Sequence, residues 1–111
     1  MNIGESAQDY LEAILMLKEE NEHVKSIDVA KHLSVTKQSV HRAIKNLSEN
    51  GYISIDDKGY IFLKEKGFEI AKDIYIKHKT LAKFFMSIGV DEKTAFEDAC
   101  KIEHDISNES F

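Results

Sequence analysis

No proline interrupts this chain, and a lone cysteine, Cys100, is the only thiol it carries. One cysteine cannot close an internal disulfide, so a reducing, cytoplasmic setting is the simplest expectation. No stretch approaches the roughly 18 consecutive apolar residues of a membrane span, which argues against a membrane protein. A basic N-terminal region followed by an apolar run is also missing, so no signal peptide is expected. Repeats and low-complexity tracts are absent. Glycine is sparse, and its five positions, Gly4, Gly51, Gly59, Gly67 and Gly89, punctuate longer patterned segments.

What is present is ordinary globular material. Hydrophobic residues make up 42% and charged residues 32% of 111 positions, the size of one domain or one domain with a short appendage. The net charge of −5 at first argues against a nucleic-acid partner, but its distribution reverses that. Residues 1–23 hold one lysine against six acids, residues 24–66 eight basic against five acidic side chains, and residues 67–111 six against nine. Only the middle third is basic. Screening over about 8–10 Å lets such a local module meet phosphate despite acidic flanks.

Apolar periodicity predicts a first helix from Ser6 to about Asn21, with Ser6 as its cap and Leu11, Ile14, Leu15 and Leu17 at helical spacing. A second helix spans Ser26–Leu33, with Ser26 as cap. After Ser34-Val35, Thr36 caps a third helix whose inner face is Val40, Ala43, Ile44 and Leu47 and which stops at Asn50-Gly51. Tyr52–Ile55 and Tyr60–Leu63 flank a turn rich in Asp and Gly and read as a β-hairpin. A long helix follows from about Glu65 to Ser87, and Asp91 caps a last one reaching about Ile106.

Two short helices, a tight turn and a hairpin form a winged helix-turn-helix, with its DNA-reading segment from about Ser26 to about Leu63. The fold class is therefore mainly α with a small β-hairpin wing. The outer face of the third helix carries Lys37, Gln38, Ser39, His41, Arg42 and Lys45, with Thr36 at its start. Arginine reads guanine edges, glutamine reads adenine, and lysine mostly holds phosphates. Lys58 at the wing tip is placed to reach a phosphate or the minor groove. A polar helix face is most often merely solvated. The hairpin at the right distance and the locally positive charge favour DNA here.

A second constellation lies near the C-terminus. On a helical wheel over Asp91–Ile106, Phe96, Ala99, Ile102 and Ile106 define an apolar face, and Cys100, Glu103 and His104 fall within it or at its margin. A thiol, a carboxylate and an imidazole in a partly buried seam need partners, and a metal ion is one way to supply them. His78 sits in the apolar stripe of the long helix, where a lone histidine is more often a hydrogen-bonded core residue. Asp9 and Glu12 share one face of the first helix, which taken alone reads as solvated acidic surface. Together the three pieces hold only first-row metal ligand types.

The stretches SAQDYLEAIL, VAKHLSVTKQSVHRAIKNLSENGYI, IKHKTLAKFF and ACKIEHDIS resemble, in collinear order over nearly the whole chain, the diphtheria toxin repressor and manganese transport regulator family. The resemblance implies a homodimeric, metal-activated repressor of metal-homeostasis genes that binds double-stranded operator DNA. It implies a winged helix domain over residues 1–64 and a helical metal-binding and dimerisation domain over residues 65–111. The manganese-type ligand positions match Asp9, Glu12, His78, Glu103 and His104, with a glutamate where this chain has Cys100. The iron-type branch has a cysteine there but a methionine at the position of Asp9. Its ancillary site falls on Ala82 and Phe96, neither able to bind metal. The hybrid set, with its thiolate, points to Fe(II) first and Mn(II) second.

Members of that family usually continue into another helix that completes the dimer domain, whereas this sequence stops at Phe111, so a smaller dimer interface is expected, with Tyr75, Phe84 and Phe85 as contact candidates. Its expected mechanism is a cation that ties the first helix to the last two and sets two recognition helices about 34 Å apart. Two rivals stand beside this reading. One is a metal-independent winged-helix regulator answering to a small molecule or to oxidation of Cys100. The other is a hydrolytic centre, for which the sequence offers no substrate-positioning motif or separate general base.

Overall fold

A computed structural model describes residues 4–111. The order of elements is α1 (Glu5–Glu20), α2 (Ser26–Leu33), α3 (Lys37–Glu49), β1 (Ile53–Ile55), β2 (Ile61–Leu63), α4 (Glu65–Ser87) and α5 (Glu92–Ile102). The chain divides into two compact units, residues 1–72 and 73–111, with the boundary inside α4. No helix among the described residues is long and apolar enough to cross a membrane.

The N-terminal unit is a winged helix. In it α1 packs on α2 and α3, α2 packs on α3, and the strands lean on α1 and α3. Leu11, Ile14, Val24, Val29, Val40 and Ile61 are all sealed at the centre. Truncating Leu11 to alanine would cost about 2–5 kcal/mol, because a packed site only partly collapses. Strands β1 and β2 pair antiparallel with Ser54 opposite Phe62. Gly59 turns the hairpin at φ +85°, a conformation that costs other residues more. Gly67 serves a different need: a Cβ there would collide with the Tyr52 carbonyl oxygen.

Helix boundaries refine three expectations. Ser6 lies inside α1, whose cap is Gly4 with no side-chain bond. Ser26 is the first helical residue of α2 and the cap is Lys25, whose N–H donates to Asp28 Oδ2 at 2.8 Å. That is half of a capping box, since an ammonium cannot accept in return. Thr36 does cap α3, accepting from the Ser39 N–H at 3.1 Å. The last helix closes at Ile102, short of Ile106, and residues 103–106 continue as a turn in which the Asp105 N–H donates to the Ile102 carbonyl at 3.0 Å. Further on, Ser107 Oγ accepts from the Ser110 N–H, a local alternative to helix that polar side chains provide.

The C-terminal unit has a thin core of Leu81, Ala82 and Ala99, with Phe85, Ile102 and Ile106 against it. Asp91 caps α5 by accepting from the Thr94 N–H at 3.1 Å. That bond holds its carboxyl below the usual carboxylate value.

Candidate metal centre and DNA-reading surface

The stripe that buries Ala71, Ile74 and Leu81 on α4 also carries His78 inward. Phe96 of α5 packs on its ring at 5.4 Å between centroids. Glu103 stands just past the end of α5, its N–H donating to the Ala99 carbonyl at 3.0 Å. That turn carries the carboxylate into the interior, where it is 0% exposed. His78 Nδ1 lies 2.8 Å from Glu103 Oε2. On its other side, His104 Nε2 lies 3.4 Å from Glu103 Oε1, and that oxygen, sealed from solvent, takes part in no hydrogen bond.

Cys100 completes the cluster. One ligand atom each from His78, Cys100 and Glu103 lies within 4.8 Å of the others. Ligands bound at about 2.0–2.3 Å to one ion stand at most about 4.6 Å apart, so the three need only a slight closure. The wheel placed Cys100 in or beside a buried seam, whereas the thiol is exposed. The apolar contact runs through Ala95 and Ala99, both fully buried, and Cys100 lies at its margin, exposed but with its sulfur near His78 and Glu103.

A buried carboxylate with an oxygen that hydrogen-bonds to nothing is costly, and the thin apolar core around it offers little to offset that cost. A divalent cation meets the need directly, and the imidazole, thiolate and carboxylate donors fit a first-row ion. The residues that would form the ancillary site are Ala82, fully buried, and Phe96; neither side chain offers a ligand atom.

Asp9 and Glu12 stand on α1 in the N-terminal unit. They are not the solvated acidic surface that their spacing alone suggests: Glu12 is buried at 6% exposure and Asp9 is half-buried.

On the DNA-reading side, Lys37, Gln38, His41, Arg42 and Lys45 are exposed along α3 while Val40, Ile44 and Leu47 hold it on its scaffold. Thr36 and Ser39 are exposed too, but their hydroxyls bond to each other at 2.9 Å within the cap. Lys58 is exposed on the wing turn, its N–H donating to Asp56 Oδ1 at 3.0 Å, which pins the turn. Sequence reasoning passes over His23, Lys25 and Tyr60, which lie beside this surface. The contact that assembles them is a long-range backbone bond from Ile61 to Val24, for which the local sequence carries no signal.

Comparison with known proteins agrees with both halves. Residues 2–61 match the iron dependent repressor N-terminal DNA binding domain. Residues 64–111 match the iron dependent repressor metal binding and dimerisation domain. An uncharacterised HTH-type transcriptional regulator of Methanocaldococcus jannaschii is 43% identical over 109 residues, covering 96% of this chain and 87% of that protein. The HTH-type transcriptional regulator MntR of Bacillus subtilis is 34% identical over 102 residues, covering 92% and 72%.

Among solved structures, the manganese regulator SloR matches with TM-score 0.79 and 27% identity over 97% of this chain and 50% of that one. IdeR of T. acidophilum matches with TM-score 0.81 and 26% identity over 98% and 51%. The chain thus spans about half the length of these two solved proteins. These relatives are regulators rather than enzymes, and they lend no support to a metal-independent alternative. The chain belongs to the iron dependent repressor family of metal-dependent transcriptional regulators.

Proposed function

We propose that this chain is a cytoplasmic repressor of metal-ion homeostasis genes, binding operator DNA as a homodimer when a divalent cation is bound. The observation that carries the reading is Glu103: a fully buried carboxylate between two imidazoles, with one oxygen outside any hydrogen bond. His78, Cys100 and Glu103 hold the ion, and His104 belongs to the same set. By the family resemblance, Asp9 and Glu12 are ligand candidates as well. The domains divide at about residue 64, winged helix before and metal-binding, dimerising helices after.

When bound, the cation supplies positive charge that offsets these carboxylates and stabilises the DNA-competent arrangement over the open one. The chain's own residues do the rest. Lys37, Gln38, Ser39, His41, Arg42 and Lys45 read and hold the duplex, Thr36 caps the helix that presents them, and Lys58 reaches from the wing. Exposed Phe84, with Tyr75 and Phe85, contributes to the surface between two copies.

Fe(II) is the preferred ion and Mn(II) the second. The family is named for iron and SloR is called a manganese regulator, but a thiolate at position 100 favours the softer of the two. A gel shift with the upstream region of a metal-uptake gene tests the function. Retardation in Fe(II) or Mn(II) that a chelator reverses is expected; equal retardation after chelation would refute it.

A further inference from the structure

Between α3 and the wing the N-terminal unit carries a furrow whose charge is positive. Two adjoining hollows of about 390 and 250 Å³ share Ser26, His41 and Gly59. Lys25 and Lys37 border the smaller hollow, and Lys45 borders the larger, against a single carboxylate, Glu49.

Lys25 differs from an ordinary surface lysine because its position is set at both ends. Its N–H donates to Asp28 Oδ2 at the start of α2. One residue earlier, the Val24 carbonyl accepts from the Ile61 N–H of β2 at 2.8 Å. That bond lays residues 23–25 along the wing. His23 then stacks on Tyr60 with ring centroids 4.1 Å apart and planes within 8°, and the Lys25 ammonium stands 5.4 Å from the centroid of the same ring. Tyr60 itself is tied in, its N–H donating to Asp56 Oδ1 at 2.8 Å. A cation over an aromatic face is held in place by the ring quadrupole.

A duplex that takes α3 into its major groove with the wing alongside must carry one sugar-phosphate strand across the gap between them. That gap is the furrow. We infer that it seats the phosphodiester backbone of one DNA strand, with Lys25, Lys37 and Lys45 as phosphate contacts. His23 and Tyr60 are positioning residues that hold Lys25 on the wing. The inference rests on the reading of this chain as a DNA-binding regulator and adds a seat for the backbone to it.

Fluorescence anisotropy of the full chain with a mixed-sequence DNA duplex, in excess Mn(II) and across a salt series, tests it. Each phosphate contact adds about 0.9 to the slope of log affinity against log salt. Lys25→Ala is expected to lower the slope by about that amount and to weaken binding about five- to tenfold at 0.1 M salt. Lys25→Arg should restore both. Lys101→Ala, which removes the same charge from an exposed position in the other unit, should leave the slope unchanged. A Lys25→Ala slope equal to that of wild type or of Lys101→Ala overturns the furrow while leaving DNA binding intact. No binding by the wild-type chain would overturn the DNA-binding reading and the furrow with it.

Discussion

His78 Nδ1 stands 2.8 Å from Glu103 Oε2, an imidazole of the long helix α4 against a carboxylate just beyond the end of α5. The two stand twenty-five positions apart, so the pair ties α4 to the end of α5 in a unit whose apolar core is thin. The same carboxylate draws its second neighbour, His104, from the adjacent position. A structural ion pair would need only one of these histidines. Two imidazoles and a nearby thiol around one buried carboxylate is the donor chemistry of a cation site.

Replacing that carboxylate separates its roles. Glu103→Gln keeps the shape and a hydrogen-bond partner for His78 but removes the charge. Metal affinity measured by calorimetry should fall at least about a hundredfold, since even residues behind a ligand typically cost 10–100-fold. The metal-free protein should melt close to wild type, because glutamine keeps the hydrogen bond that joins α4 to the end of α5 while the cost of burying a charge is removed.

Metal should stabilise the wild-type chain measurably. At a free ion concentration a hundredfold above Kd, linkage adds about 2.7 kcal/mol to the folded state. Thermal unfolding in Mn(II) should therefore shift upward, and a chelator should reverse the shift. A melting curve indifferent to both would contradict the centre.

Cys100 decides the softness of the site. With Co(II) as a probe, a thiolate-to-metal charge-transfer band should appear in wild type and vanish in Cys100→Ser. Cys100→Glu should move the preference from Fe(II) toward Mn(II), read as the ratio of the two affinities. An unchanged spectrum in Cys100→Ser would take the thiol out of the ligand set.

Gly67 offers a test of packing in the winged helix. The Cβ of Gly67→Ala would meet backbone, the Tyr52 carbonyl, which also accepts from the Lys64 N–H at 3.0 Å. Because no flexible side chain can yield there, a loss of about 1–3 kcal/mol is expected from denaturant unfolding.

Asp91 gives a pH signature. Its carboxyl is held below the ordinary 3.8, first by the Thr94 backbone N–H and then by the Thr94 side chain. A depressed folded-state value means the cap contributes fully above the unfolded value and is lost as pH falls through the folded one. The difference in melting temperature between wild type and Asp91→Ala should thus be constant near neutrality and shrink below pH 3.8.

The sequence displays these features unequally. Thr36, the Asn50-Gly51 stop and the hairpin around Gly59 are legible because caps and turns depend on neighbours a few residues away. His78 is legible as a polar intruder in an apolar stripe. The end of α5 is not, because the tighter turn there is closed by a backbone bond from the Asp105 N–H to the Ile102 carbonyl, which leaves the apolar period undisturbed. Neither is the burial of Glu12, whose i, i+3 pairing with Asp9 looks like any acidic surface. The stack of His23 on Tyr60 depends on the bond between Ile61 and Val24, thirty-seven positions apart, and no local pattern encodes it.

The central claim is that the cation held around Glu103 governs DNA binding, and the DNA affinity of wild type and Glu103→Gln across a Mn(II) titration tests it most directly. Wild type should gain about 5–150-fold, the range of a useful coupling, while Glu103→Gln stays at the metal-free level throughout. An equal gain in both proteins would contradict the account.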